Sequence, residues 1–356
     1  MVAPIIIFSY SKLKMSKQLS NIAFLFTNSK EEVISNVQAG RDADTALHGM
    51  NHIARADHFT VFPKSIQSVA FIPRLLRYNF IIAQDNLLLG YIVSLCARIC
   101  HLKTQWLYLA MNSSTLMRRH ATHPLRLFLV KKFWASYARI ICLSSEQLED
   151  FARLGISRKR LVFVPFGVDT NFFKPTDISR EEDLIVSVGR DAGRDYATLF
   201  KAAERSNYRC IVVAGRKNIP SGMPIPTNVS VLYNRSLVEV RDLYTRARLV
   251  VVASKDDNVP DGSDCSGQTV ILDALAAGKA VIATRRSWIA DYFIPNQDLI
   301  VVPPDDPEAL AHAIDALSRD AEKRKHLAAS GHGKVEAHYT TKIFATALLG
   351  VMDSII

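Results

Sequence analysis

The sequence predicts an α/β protein built from two doubly wound units, and three observations lead there. Its 356 residues exceed what one hydrophobic core usually supports, about 250–300 residues. Short apolar strands alternate with helices along the chain, the pattern of parallel sheets covered on both faces. That alternation breaks at the polar stretch "DISREED" (177–183) and then restarts. The expected organisation is an N-terminal domain over 1–165, a C-terminal domain over 166–338, and a helix over 339–356 that crosses back to the first domain. Two such domains face each other across a cleft. Ligands of open α/β sheets bind outside the carboxyl ends of the strands.

In the first half, "NIAFLFTN" (21–28) opens as a strand, a helix is expected around 43–56, and "HFTVF" (58–62) follows as a strand. "NFIIAQD" (79–85) reads as a buried strand, the apolar run 87–102 as a helix, and "QWLYLAM" (105–111) as the next strand. A helix over 125–139, the strand "IICLS" (140–144), a helix from Ser145 and "RLVFVPFG" (160–167) complete it. In the second half, strands are expected at 184–190, 209–215, 228–233, 249–254, 280–283 and 299–304. Helices are expected at 196–206, 237–247, from Gly267 to Gly278, at 307–320 and around 341–356.

Bulk composition narrows the function classes. Hydrophobic residues make up 49% and charged residues 22%, ordinary for a water-soluble globular chain. "VAPIIIF" at the start has no basic flank, so a secretory signal is not expected. The five cysteines are scattered and odd in number, which points to reduced thiols and a cytoplasmic setting. Cys96 and Cys100 lie one helical turn apart and read as core residues. A net charge of +10 asks for an anionic partner. No helix-turn-helix, zinc or aromatic-basic motif accompanies it, so nucleic acid is not expected; phosphorylated small molecules and anionic membrane surfaces remain. The helix 125–139 mixes Arg126, Lys131, Lys132 and Arg139 with Leu127, Phe128, Phe133 and Trp134. It is expected to cover the sheet with one polar face, and its basic edge suits peripheral contact with anionic lipid.

Candidate site residues follow strands. In "SVGRDAGRDYATLFKA" (187–202), Gly189 and Arg190 end a strand and Arg194 precedes a helix. Two arginines there could fork around a diphosphate, since guanidinium pairs bidentately with phosphate oxygens; a solvated loop is the plain alternative. In "SDCSGQTVILDALAAGKAVIAT" (263–284), Ser266, Gly267, Gln268 and Thr269 would offer unpaired N–H groups and the positive end of a helix dipole to an anion. Asp273, one turn after Thr269, either sits on a wet edge or accepts hydrogen bonds from a ribose diol. "KDDNVPDGSDCS" (255–266) gathers Asp256, Asp257, Asp261 and Asp264 without calcium-loop spacing, so a solvated acidic loop is expected and no metal site. Arg216 and Lys217 read as surface, and His120 and His123 as exposed loop residues.

Taken in order, these pieces resemble glycosyltransferase family 4, retaining transferases of the GT-B fold. The segment 138–174, with its Gly-Val-Asp and Phe-x-Pro, is similar to the family's interdomain stretch; "VSVGRDAGRDY" resembles its donor-diphosphate loop, with Arg194 where lysine is usual. "GQTVILDALAAGKAVIAT" resembles the family's Leu-Glu-Ala motif. The resemblance covers 138–335 well and the first half by pattern alone. It implies transfer of a hexose from a nucleotide diphosphate sugar to a hydroxyl of a glycan or lipid-linked acceptor, with retention and without a metal or cofactor. Surface-polysaccharide assembly is the setting it suggests. It also implies that Arg190 and Arg194 stabilise the leaving diphosphate, and that Gly189, Ser266, Gly267, Gln268, Thr269 and Asp273 hold the donor.

Two departures stand out. Of the family's paired glutamates, the second is Asp273 and the first is Cys265, with Asp264 beside it as the nearest carboxylate. The glycine-rich loop near the start has its nearest counterpart in "QAGRDADT" (38–45), and Asn112 stands where a histidine often follows a first-domain strand. A degenerate GT-B protein that binds nucleotide or a partner without turnover is the alternative these departures keep open.

Overall fold

The computed structural model describes residues 21–54, 56–60, 70–84, 87–113, 117, 123–175, 180–206, 208–259 and 261–356. The chain forms two compact units. One comprises the residues up to Ser35, Ala46–Pro165 and Lys342–Ile356; the other comprises Asn36–Thr45 and Phe166–Thr341.

The first unit holds β1 (Ile22–Phe26), α1 (Glu31–Gln38, which runs into the second unit), β2 (Ala56–Thr60), α2 (Ile72–Leu75) and β3 (Phe80–Ala83). It continues with α3 (Leu87–Ile99), β4 (Gln105–Ala110), α4 (Pro124–Trp134), β5 (Arg139–Cys142), α5 (Ser145–Arg153) and β6 (Leu161–Phe163). Its six strands are all parallel, in the order β2-β1-β3-β4-β5-β6. Fully buried aromatics (Trp106, Trp134, Tyr137 and Phe151) fill one side of this sheet. Gln147 ties two strand ends together: its Oε1 accepts from Leu143 N at 2.7 Å and its Nε2 donates to Ala110 O at 2.9 Å.

The second unit holds β7 (Leu184–Gly189), α6 (Tyr196–Glu204), β8 (Arg209–Ala214), β9 (Val229–Tyr233), α7 (Leu237–Arg246) and β10 (Leu249–Val252). After these come α8 (Gln268–Ala276), β11 (Val281–Thr284), α9 (Ile289–Tyr292), β12 (Ile300–Val302), α10 (Pro307–Arg319) and α11 (Ala321–His338). The last helix, α12 (Thr341–Asp353), lies with the first unit from Lys342 onward. The second sheet is also six-stranded and parallel, in the order β12-β11-β10-β7-β8-β9. The order reverses between β7 and β10. At such a switch point the connections leave in opposite directions and open a crevice at the carboxyl ends of the strands.

Sequence expectation and structure part in several places. The helix expected over 43–56 is instead two short 3-10 turns, Asp44–Leu47 and Met50–His52. His48 (φ 51°) and Gly49 (φ 78°) take left-handed conformations between them. A Cβ on Gly49 would come 3.0 Å from that of Ala345, so close packing on α12 favours glycine there. The strand expected at 58–62 begins earlier, at Ala56, and its residues 61–62 lie outside the described residues. Helices α1, α2, α9 and α11 were not expected. In α11, Gly331 and Gly333 mask an 18-residue helix; a Cβ on Gly331 would fall 2.5 Å from Leu275 Cδ2, so the glycine lets the helix approach α8. Cys100 is exposed rather than in a core, and Cys96 only half-buried. Helix α4 ends at Trp134 and turns Leu125, Phe128 and Leu129 outward, so it has no purely polar outer face.

Within the second unit the two chain crossings run side by side. Val168 N donates to Tyr339 O at 2.8 Å and Thr341 N to Val168 O at 3.0 Å. Gly167 fits there because a Cβ would come 2.3 Å from Thr340 O.

Candidate functional site: the β7–β10 switch point

Two loops meet where the second sheet reverses, and one side chain joins them. Arg194, only 3% exposed, donates from Nη2 to Val188 O at 2.8 Å and from Nη1 to Ser254 Oγ at 3.3 Å. Ser254 is fixed in turn by Thr284: its N donates to Thr284 Oγ1 at 2.8 Å, and that hydroxyl donates back to Ser254 O at 2.9 Å. The guanidinium occupies the space that neighbouring residues would otherwise fill. A Cβ on Gly189 would lie 2.4 Å from Arg194 Nε, and one on Gly267 would lie 3.0 Å from Nη1 and 2.8 Å from Val252 Cγ1. Gly267 also has φ 85°, which other residues rarely adopt.

The loops are stitched by Asp191. Its Oδ1 accepts from Gly193 N at 2.8 Å, its Oδ2 from Ser263 N at 2.9 Å, and its carbonyl from Asn218 Nδ2 at 2.8 Å. Arg190 points elsewhere: it is exposed, and its Nη2 donates to Arg235 O at 3.0 Å. The two arginines are thus held by separate partners, one at the surface and one inside.

The start of α8 leaves donors unused. Ser266 N and Gln268 N are spent in turns, on Ser263 O at 3.2 Å and Cys265 O at 3.0 Å, which corrects the expectation that all four N–H groups from 266 to 269 are free. The N–H groups of Gly267 and Thr269 have no acceptor among the described residues. Ser266 Oγ and Arg194 Nε are buried and also lack partners among them. A guanidinium beside the positive end of a helix dipole is repulsive unless an anion shares the space. The chemistry of this corner suits a phosphate or diphosphate.

One turn further along, Asp273 Oδ1 is buried without a hydrogen-bond partner among the described residues. Burial, and then the nearby Asp169 carboxylate, raise the Asp273 carboxyl well above the usual carboxylate range. The Tyr244 hydroxyl is raised by burial foremost and then by Asp273, and is opposed by Arg194, so these three groups share one neighbourhood. Asp169 draws in the segment 38–45: its Oδ2 accepts from Asp44 N at 3.0 Å, and its N donates to Thr45 Oγ1 at 3.1 Å. Its Oδ1 accepts from Asn171 N and Phe172 N, both at 3.0 Å.

The acidic loop is braced rather than simply solvated. Arg286, 5% exposed, pairs through Nε with Asp257 at 2.8 Å and donates to Lys255 O at 2.7 Å and Asp264 O at 3.1 Å. Lys255 Nζ pairs with Asp261 at 2.8 Å. Among the described residues no group of three or more His, Cys, Asp or Glu could hold a metal ion. His123 precedes α4, whereas His120 lies outside the described residues.

Sequence reasoning missed Asp191, Ser254, Thr284 and Arg286. Each lies just after a strand or at its end, so the rule that singled out Arg190 could have found them. In the first unit, Lys30 and His48 stand near the end of β1. Lys30 Nζ lies 4.9 Å from the Phe26 ring, which is 5.6 Å from the His48 ring at the carboxyl end of β1. Burial and Lys30 hold the His48 pKa down at about 4.

Residues 168–333 match the model of the family Glycosyl transferases group 1. The match lies within the second unit and includes the whole β7–β10 corner. None of the curated proteins matches the chain. Among solved structures, Anabaena Alr3699/HepE in complex with UDP and glucose is 16% identical, with a TM-score of 0.71 over 94% of this chain and 100% of that one. Sucrose-phosphate synthase (tll1590) from Thermosynechococcus elongatus is 18% identical, with a TM-score of 0.68 over 94% and 99%. The lipopolysaccharide outer core galactosyltransferase WaaB is 13% identical, with a TM-score of 0.63 over 94% and 99%. The fold is that of the GT-B glycosyltransferases.

Asp273 yields a test with a defined sign. Because its folded-state carboxyl is raised, the folded chain keeps a proton that the unfolded chain releases, so stability falls as pH climbs above the ordinary carboxylate range. Asp273→Asn removes this penalty. The variant is expected to melt above wild type at pH 7, by about 2–4 °C per kcal/mol recovered in a unit of this size, with the gap closing below about pH 4. Nucleoside diphosphate binding should weaken in the same variant. Equal melting temperatures at pH 7 would return Asp273 to a wet edge.

Proposed function

We propose that the chain is a glycosyltransferase of the family 4 type, moving a hexose from a nucleotide diphosphate sugar to a hydroxyl of a glycan or lipid-linked acceptor with retention and without a metal. One observation carries this reading: the unpartnered Arg194 Nε, Ser266 Oγ and N–H groups of Gly267 and Thr269 meet at the switch point. The carboxylate of Asp273 follows one turn later on the same helix. The first group suits a diphosphate, and the second a ribose diol. The presence of UDP and UDP-glucose in the Anabaena HepE structures adds support.

In this role Arg194 and the start of α8 balance the charge that builds on the departing diphosphate. Fixed donors in a water-poor site do this without reorganising during the reaction. Arg190, at the surface of the same loop, would reach the phosphates after leaving Arg235 O. Asp264 or an adjacent group would face the sugar.

The second reading, a GT-B protein that binds nucleotide without turnover, is favoured by Cys265, since a thiol does not replace the carboxylate that the family pattern has there. A panel of nucleotide sugars, followed by release of the nucleoside diphosphate, separates the two. Turnover with one donor, reduced by about a hundredfold or more in Arg194→Gln, is the expected result. Saturable nucleotide binding with no turnover for any donor would favour the second reading, and neither binding nor turnover would remove both.

The lipid-linked form of the acceptor is supported by an apolar face on the first unit. Helices α3 and α4 pack together and expose Ile99 (68%), Leu125 (72%) and Phe128 (52%), with Lys132 Nζ 4.8 Å from the Phe128 ring. No helix among the described residues is long and apolar enough to cross a membrane. Peripheral docking on anionic lipid would place the apolar side chains in the headgroup region, with Lys131 and Lys132 adding about 1 kcal/mol each. Flotation with anionic vesicles should fall by about tenfold in Lys131→Gln/Lys132→Gln. Equal flotation with neutral and anionic vesicles would sink the idea.

A further inference from the structure

A cavity of about 390 Å³ lies at the opposite pole of the second sheet, beside the residues that precede β10 and β11. Its size falls within the range of small-molecule sites. Five basic side chains line it (Arg248, Lys279, Arg324, Lys325 and His332) against the single carboxylate of Glu181. Ala277, Ala280, Ala328 and Ala329 keep the space open.

Part of this charge has a structural use. Arg324 Nη1 donates to Leu317 O at 3.0 Å and Ser318 O at 2.6 Å, near the end of α10. Lys279 Nζ donates to Thr245 O at 3.1 Å and Ala247 O at 3.0 Å, at the end of α7. Glu181 is shared between Arg248 Nε at 3.7 Å and Arg324 Nη2 at 3.2 Å, and Arg248 pairs also with Asp183. Helix capping does not explain the remainder. Lys279 retains a third hydrogen, and burial pushes its ammonium below the usual lysine range. His332 Nδ1 is buried with no partner among the described residues. Lys325 is balanced by Glu322 at 2.9 Å, out in solvent.

We propose that this cavity is a second ligand site, separate from the start of α8, for a small phosphate ester such as a phosphorylated sugar. A tetrahedral oxyanion of charge near −2 can take hydrogen bonds from several directions at once, as the surrounding lysines, histidine and guanidinium edges require. The alanine-lined wall accepts the compact body of the ester. The two sites then occupy opposite ends of α8, about 13 Å apart along its axis.

The test is calorimetric titration of the full chain with inorganic phosphate, glucose 6-phosphate and glucose. The proposal expects saturable binding of at least one of the two phosphates, none of glucose, and at least tenfold weaker phosphate binding in Lys325→Glu/His332→Gln. Should the double variant fail to fold, Lys325→Glu alone, at an exposed side chain, should still weaken binding severalfold. Phosphate binding unchanged by these substitutions would belong to the start of α8 and overturn the proposal. Binding of neither phosphate, or equal binding of glucose, would overturn it too.

Discussion

Arg194 is a cation held inside a protein between two parallel strands, and the second unit is arranged around that fact. Val188 O and Ser254 Oγ take two of its nitrogens. Its stem and head take the space that side chains at 189 and 267 would need, so both positions are glycine. Asp195 N bonds to Ala253 O at 3.0 Å and Lys255 N to Gly193 O at 2.8 Å, so the loops after β7 and β10 form a single layer. A buried charge without an opposite partner is costly. Here no carboxylate pairs with Arg194 among the described residues. The site therefore carries a standing demand for an anion.

Around this centre the other charges are consumed. Asp191 is spent on backbone N–H groups, Asp257 on Arg286, Asp261 on Lys255 and Asp169 on three amides. Asp273 is the contrasting case, a carboxylate placed where burial and a like charge oppose its ionisation. A guanidinium without a counter-charge at the start of α8 and a carboxyl with an unused Oδ1 one turn along that helix match a ligand with a charged end and a hydrogen-bonding middle. A nucleoside diphosphate has that form.

How much was legible in the sequence depended on the scale of the interaction. The strands of both sheets were visible because parallel, doubly covered strands are nearly continuous apolar runs, as in "LVVV" and "FIIA". The corner was legible as a list, since Arg194, Gly267 and Asp273 follow from strand ends and a helix start. What each residue does was less visible. The inward path of Arg194 and the outward path of Arg190 depend on which loop packs on which, and no spacing encodes that. Helix α11 was hidden because Gly331 serves contact with α8 rather than a turn. The helix expected over 43–56 failed because the left-handed pair His48–Gly49 answers to α12, some 300 residues away in the chain.

The central claim is that the β7–β10 corner is an anion cradle completed by a phosphorylated nucleotide. Titration of the wild-type chain with uridine diphosphate, guanosine diphosphate and the corresponding nucleosides tests it most directly. One diphosphate should bind at least about a hundredfold tighter than its nucleoside, and Arg194→Gln should erase most of that difference. Nucleosides that bind as tightly as their diphosphates, or a difference that survives in Arg194→Gln, would contradict it.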